Sequence, residues 1–472
     1  MAAGIEFSGQ RATVMGLGTR GGGLGVARFL AESGAIVTVT DMRPETDLAE
    51  PIESLADLPI RLVLGRHDDS DFTREGADVV IRNPGVRRTS RYLQLARASG
   101  VCVEMEMSIF LRACPAPVIG ITGTKGKTTT ASLCAEMLRR WQPETALAGN
   151  MGVSAVAELE RITPRTPVVL ELSSWQLEAL DEHRLAPAIA VLTNISEDHL
   201  DAYDGFEDYA ATKRSIARHQ RANEWLVVNA DDPVAFRATA ETASGVVPFG
   251  TIARNEPAMV VDPEQHRLIW RRDGRTTEIV VPNRMPFLGL HQLSNAAAAA
   301  AAALLRGAPV EAVVDGLETF GGVYNRMEVV AEIDGVTFIN DTAATAPAAT
   351  IANLDGLRDR RVHLIAGGHD KQSDLAALAA SIASTVCTVR LLDGTATPTL
   401  KQLIEQHGKR VLDIHDSMAS AVTVAGLAAL PEDIVLLSPG CASFGLFRDE
   451  FDRGDQFRAA VAALQLQRRL TG

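Results

Sequence analysis

A chain of 472 residues, 46% of them hydrophobic, is too long for one core and implies two or three domains. A formal net charge of -13 argues against nucleic acid or an anionic membrane surface as a partner, so an anionic ligand must meet local positive charge. The alanine tract from Ala296, extended by Leu304 and Leu305, stops at Arg306 and is too short to span a bilayer. MAAGIEFSGQR lacks a leader pattern, and five cysteines without C-x-x-C spacing fit reduced thiols. A soluble cytoplasmic protein without a zinc site or disulfide framework is expected.

In chain order, RATVMGLG (11–18), LGVARFLAESG (24–34) and AIVTVTDMR (35–43) read as strand, helix and strand. ADVVIRNPGV (77–86) and GVCVEMEM (100–107) read as further strands around the helical TSRYLQLARAS, so residues 1–113 form a doubly wound α/β domain. A second domain, 114–322, opens with APVIGITGTKGKTTT and continues through TPVVLELSS, IAVLTNI and EWLVVNADD, apolar runs of the kind parallel sheets bury. The Asp273-Gly274 pair between alternating runs predicts a hairpin, and an alanine-rich helix after Asn295 closes the domain. From Val323 to the end, GVTFINDTA, RVHLIAGG, TVRLLDG, RVLDIHD and DIVLLSPG alternate with helical stretches, which predicts a second doubly wound sheet over 323–472.

GLGTRGGGLG (16–25) lies between strand and helix, where glycines let backbone approach a phosphate. Alone it is weak, because a glycine turn that packs helix on sheet explains it equally well. With Asp41 placed for a ribose, an NAD-dependent enzyme is one reading, but nothing later in the chain supplies hydride chemistry. The loop 120–130 is stronger, since PVIGI precedes it as a strand and TTTASLCAEML follows as a helix. Lys127 can reach terminal phosphates and the Thr128 hydroxyl can ligate magnesium. Glu171 in LELSSWQLE, and Asp198 with His199 in LTNISEDHLDAY, put carboxylates at the ends of apolar strands. A buried acid there is costly unless it faces a cation.

The motifs GITGTKGKTTT, GNMG, ELSSWQLE, TNISEDHLDAY, YAATKRSI, GLHQLSNAAAA, NRMEVV, NDT, GGHDKQSDL and LLSPGCASFGLF occur in the order of the Mur ligases, which the chain resembles over essentially its whole length. The resemblance implies three domains: an N-terminal Rossmann-like UDP-binding domain, a central P-loop ATPase domain and a C-terminal Rossmann-like domain. It implies ATP-driven activation of a carboxylate to an acyl phosphate, which an incoming amine attacks. The substrates implied are UDP-N-acetylmuramoyl-L-alanine, glutamate and ATP, handled by a monomer with two Mg2+ ions. Gly123, Thr124, Lys125, Gly126, Lys127, Thr128 and Thr129 would cradle ATP, with Asn295 at adenine and Arg326 and Asp341 closing from the third domain. Thr128 would hold one Mg2+; Glu171, His199 and a carbamylated Lys213 would hold the other. Leu17, Gly18, Thr19, Asp41, Arg43, Asn83, Asn150 and Ser173 would bind the UDP-sugar. Thr345, Lys371, Ser443 and Phe447 would receive glutamate.

The chain departs from the family around the incoming amino acid. NDSKATN becomes NDTAATA, so a lysine is replaced by Ala343 and an asparagine by Ala346. A histidine becomes Asn325, an acid after CAS becomes Gly445, and the usual aromatic seven residues beyond Ser443 is Glu450, with Phe451 beside it. Chirality is read by three-point geometry rather than residue type, so D- and L-glutamate both stay open, as does a folate-type glutamate ligase. A vestigial ATPase scaffold is the reading from another class; the set Lys127, Glu171, His199 and Lys213 argues against it, and the separate first domain argues against the folate type.

Overall fold

Parallel strands covered on both faces require continuous apolar runs, and the computed structural model of the protein forms them where such runs occur. It describes residues 7–18, 22–151, 154–198, 202–253, 256–283, 289–370 and 374–471. The first sheet has five parallel strands in the spatial order Arg61–Leu64, Ile36–Asp41, Arg11–Met15, Val79–Arg82, Cys102–Glu104. Chain direction across the sheet reverses between Arg11–Met15 and Val79–Arg82, which opens a crevice beyond their carboxyl ends, where Leu17, Gly18 and Asn83 lie. The run VCVEMEM does not stay extended as the sequence suggested. The strand stops at Glu104 and a helix, Glu106–Ala113, begins, because Ser108 Oγ accepts from Met105 N (3.0 Å) and Met107, Ile109 and Phe110 turn into the core.

The second sheet has nine strands, in the order Ala146–Gly149, Val168–Glu171, Val118–Thr122, Ile189–Leu192, Trp225–Asn229, Gly245–Gly250, Ala258–Asp262, Arg267–Arg272, Arg275–Val280. Neighbours are parallel as far as Ala258–Asp262, and the last two add an antiparallel hairpin. Its turn is made by Asp273 (φ 54°) and Gly274 (φ 70°), the left-handed pair that the sequence predicted there. The alanine-rich helix begins earlier than expected, at Leu290, and runs to Arg306; Ala296 to Ala303 are all buried, and their small side chains let it pack closely on the helix Lys127–Trp141.

These two sheets belong to one compact unit, Met1–Pro282 with Leu290–Thr319. Glu106 accepts from Ser154 Oγ (2.6 Å), Arg82 pairs with Glu178, and His183 Nε2 lies 3.1 Å from Glu104, so buried polar contacts join them. A second unit, Asn283–Gly289 with Phe320–Gly472, holds a six-stranded sheet in the order Glu328–Ile333, Val336–Asn340, Ile434–Leu437, Val362–Gly367, Thr388–Leu392, Val411–His415. All neighbours are parallel except the edge strand Glu328–Ile333, which the sequence reading did not contain. Among the described residues, no helix is long and apolar enough to cross a membrane.

Candidate active site

The buried strand Val118–Thr122 lies between Val168–Glu171 and Ile189–Leu192, so the loops after all three open on one edge of the sheet. After it the chain turns through Gly126, whose φ of 80° caps the helix Lys127–Trp141. A Cβ at Gly126 would stand 2.2 Å from Asn295 Oδ1, so only glycine fits. The helix N-terminus thus points its first backbone N–H groups toward the loop, an arrangement suited to phosphate. Lys127 Nζ folds back onto the carbonyls of Gly123 (3.0 Å) and Thr124 (2.9 Å). Thr128 and Thr129 follow in the first helical turn, half-buried.

Asn194 fixes the loop from outside. Its Oδ1 accepts from Lys125 N (2.8 Å) and its Nδ2 donates to Lys125 O (2.9 Å), while Thr124 Oγ1 donates to Ser196 O (3.1 Å). Asn194 was not singled out from the sequence. The available signal was an asparagine directly after an apolar strand in a phosphate-loop sheet. Asn295, expected at adenine, packs against Gly126 and accepts from Thr130 Oγ1 at 3.4 Å.

Beside this loop, Glu171 is buried at the end of its strand. Asn150 Nδ2 donates to its Oε1 (3.0 Å), and its Oε2 is buried with no hydrogen-bond partner among the described residues. Lys213 comes from the helix Phe206–Arg214, is buried, and sets its Nζ 4.9 Å from the centre of the Tyr209 ring. Burial, reinforced by the charge of Lys127 and opposed by Asp198 and Glu171, pulls the Lys213 ammonium down to about 7. Asp198 Oδ2 lies 3.9 Å from Lys125 Nζ. Lys127, Glu171, Asp198 and Lys213 therefore share one electrostatic neighbourhood; His199 lies outside the described residues. Ser173 caps the next helix, Ser174–Glu182, in a capping box with Gln176, which fixes its hydroxyl by local structure.

At the first sheet's crevice, Asp41 accepts from Leu17 N (3.0 Å), from Arg43 N (3.0 Å) and from the Arg43 guanidinium (2.9 Å). Burial opposes its ionisation, but the Arg43 guanidinium and these N–H groups outweigh burial and hold the carboxyl below its ordinary value. Asn83 donates to Gly16 O (3.3 Å) and accepts from Gly85 N (3.2 Å), so it sits against the same glycine turn. Thr19 lies outside the described residues.

In the second unit, Asp341 is buried and accepts from Ser438 Oγ (2.7 Å), Met327 N (3.2 Å) and Asn353 Nδ2. Burial, only partly offset by these donors and by Arg326, pushes its carboxyl up to about 7. Arg326, next to Met327, is exposed. Asn325, which replaces the family histidine, is buried at φ 65° and accepts from Asn340 Nδ2 (2.9 Å) and Arg458 Nη1 (3.1 Å). Thr345 lines a tight crevice with His369, Asp370, Leu375 and Gly440 to Ala442, and buried Ser443 follows directly. Phe447, expected to contact glutamate, has its ring in the hydrophobic core with Phe338, Leu437 and Phe457. The exposed aromatic is Phe444, whose ring meets His369 edge-on at 6.3 Å. Lys371 lies outside the described residues.

Known proteins share this architecture. Residues 10–104 match the Mur ligase MurD-like N-terminal domain, 121–303 the Mur ligase middle domain, and 325–441 the glutamate ligase domain of Mur ligases. The chain belongs to the Mur ligase family and has its three-domain architecture. It is 48% identical over 468 residues to the UDP-N-acetylmuramoylalanine--D-glutamate ligase of Roseiflexus sp. (strain RS-1), covering 97% of this chain and 99% of that protein. It is 38% identical over 467 residues to the protein of the same name from Symbiobacterium thermophilum, covering 98% and 100%. The solved UDP-N-acetylmuramate-alanine ligase MurC of Thermotoga maritima superposes with a TM-score of 0.57 at 19% identity, over 96% of this chain and 99% of that one, a likeness of fold.

Proposed function

We propose that the chain is an ATP-dependent ligase that adds D-glutamate to UDP-N-acetylmuramoyl-L-alanine through an acyl phosphate, a step of peptidoglycan precursor synthesis, working as a cytoplasmic monomer divided near residues 113 and 322. The observation that carries the reading is a buried carboxylate, Glu171, with one oxygen lacking a donor among the described residues, beside a lysine whose cationic form is suppressed, at the sheet edge that bears a phosphate loop. A buried carboxylate with one oxygen left undonated fits a divalent cation. Thr128, Glu171, His199 and a carbamylated Lys213 would hold two Mg2+ ions, which when bound neutralise charge on phosphate and acyl oxygens.

The chain's own groups do the positioning. Lys127 exchanges the carbonyls of Gly123 and Thr124 for phosphate oxygens, a gain because a charged acceptor binds an ammonium more strongly than a neutral one. Asn194 keeps the loop in shape and Asn150 orients Glu171. The terminal phosphoryl group passes from ATP to the alanyl carboxylate, the glutamate amine attacks the acyl carbon, and an amide forms as phosphate leaves. Asn295, Arg326 and Asp341 are assigned to ATP. Leu17, Gly18, Thr19, Asp41, Arg43, Asn83, Asn150 and Ser173 are assigned to the UDP-sugar. Thr345, Lys371 and Ser443 are assigned to glutamate, with Phe444 in place of Phe447. The test is incubation with ATP, Mg2+, UDP-N-acetylmuramoyl-L-alanine and each glutamate enantiomer, reading phosphate and product mass. Product with D-glutamate alone is expected; product with L-glutamate alone reassigns the acceptor, and none with either removes the reading.

A further inference from the structure

Arg453, near the start of the helix Glu450–Thr471, is 0% exposed and heads the largest fully buried side chains. Its Nε donates to Thr342 Oγ1 (2.9 Å), its Nη2 to Thr342 O (2.9 Å) and its Nη1 to Cys441 O (3.2 Å). All three acceptors are neutral. Asp341 and Glu450 act on it only at longer range, and it forms no ion pair with a described carboxylate. Burial draws its titration down to about 10, which leaves it a cation at neutral pH. A buried charge held only by neutral dipoles is expensive, because removing it from water is repaid in full only by a counter-charge.

The place of this cation suggests where that counter-charge comes from. Thr342 lies on the loop that continues to Thr345, and Cys441 on the loop that continues to Ser443. Thr345, Cys441 and Ala442 line the tight crevice, so the guanidinium stands directly behind its wall. The loop at His369 is tied in as well: His369 N donates to Ala442 O (2.9 Å) and Ala442 N to His369 O (3.1 Å). One buried charge therefore spans the two loops that face the incoming amino acid and is one backbone layer from its crevice. The lysine that the family commonly carries on the first of these loops is Ala343 here.

We propose that Arg453 is a positioning and specificity residue that supplies, from behind the acceptor loops, the positive potential that favours a doubly anionic amino acid. The inference rests on the ligase reading. Arg453→Met should raise KM for D-glutamate by roughly ten- to a hundredfold, while KM for ATP and for the UDP-sugar stays within about threefold. Adding Ala343→Lys to that variant should recover most of the glutamate loss, which a lost strut could not do. Equal rises in all three KM values, or no recovery with Ala343→Lys, overturn the proposal and leave Arg453 a structural brace. If Arg453→Met does not fold, Arg453→Lys decides. A charge needs only an ammonium and keeps glutamate KM within about threefold, whereas a brace needs three directed donors and loses glutamate binding. A wild type that forms no product with glutamate removes the ligase reading itself, a failure visible before any variant is measured.

Discussion

Moving the pH across the depressed titration of Lys213 should switch its capture of carbon dioxide on and off. Only a neutral amine adds to CO2 to give a carbamate, and burial near Lys127 brings the Lys213 ammonium down to about 7. A group titrating there is about nine-tenths neutral at pH 8 and about one-tenth neutral at pH 6, against roughly 0.3% at pH 8 for an ordinary lysine. The carbamate is an anion among Glu171 and Asp198, so Mg2+ should increase its occupancy. The assay is carbon-13 NMR in labelled bicarbonate at pH 6, 7 and 8, with Lys213→Ala as control. A carbamate signal should grow severalfold from pH 6 to pH 8, deepen with Mg2+, and be missing from Lys213→Ala, whose turnover should return in part with an added short-chain carboxylic acid. A wild type that turns over at pH 8 without the signal, or a fully active Lys213→Ala, refutes the reasoning.

Lys127→Ala should lower turnover at least about 100-fold with an unchanged melting curve, because its two bonds to loop carbonyls matter far less than charge placed on a phosphoryl group; near-normal turnover would remove the phosphate-loop assignment. Asn194→Ala deletes both bonds that clamp Lys125 and should raise KM for ATP by about thirtyfold, at roughly 1 kcal/mol per bond, with little change in KM for glutamate. Asp341 holds its proton more tightly folded than unfolded, so its contribution to stability is complete below the unfolded value near 4 and declines as pH rises through about 7. Melting curves of Asp341→Asn should therefore lose less stability than wild type between pH 5 and 8, by roughly 3 kcal/mol; parallel pH profiles would contradict the raised titration.

The sequence made the central strands legible because Val118–Thr122, Val168–Glu171, Ile189–Leu192 and Val362–Gly367 are nearly continuous apolar runs, broken only by Thr122, Glu171 and His363, and are bounded by polar or glycine turns. Three edge strands and one inner strand were missed for the opposite reason. At the edges, Arg61–Leu64 exposes half its residues, Ala146–Gly149 is small apart from Leu147 and Glu328–Ile333 alternates weakly, while the inner strand Gly245–Gly250 carries a proline, so none offers a run to read. At the site, the phosphate loop was legible because its glycine, lysine and threonine act within one turn of chain. The burial of Phe447 was not, since the core takes its ring and leaves Phe444, three residues earlier, exposed, a difference no local pattern marks. Arg453 was not singled out from the sequence; its burial follows from two loops distant in sequence closing over it.

The central claim is that ATP activates the alanyl carboxylate as an acyl phosphate at the edge of the sheet bearing Lys127, Glu171 and Lys213. The most direct test uses UDP-N-acetylmuramoyl-L-alanine carrying oxygen-18 in that carboxylate, with ATP, Mg2+ and D-glutamate, and reads the mass of the phosphate released. One labelled oxygen per turnover should appear in phosphate, and both amide product and label transfer should vanish in Lys127→Ala. Amide formation with unlabelled phosphate would mean that the carboxylate oxygen never joined phosphorus, and would contradict the account.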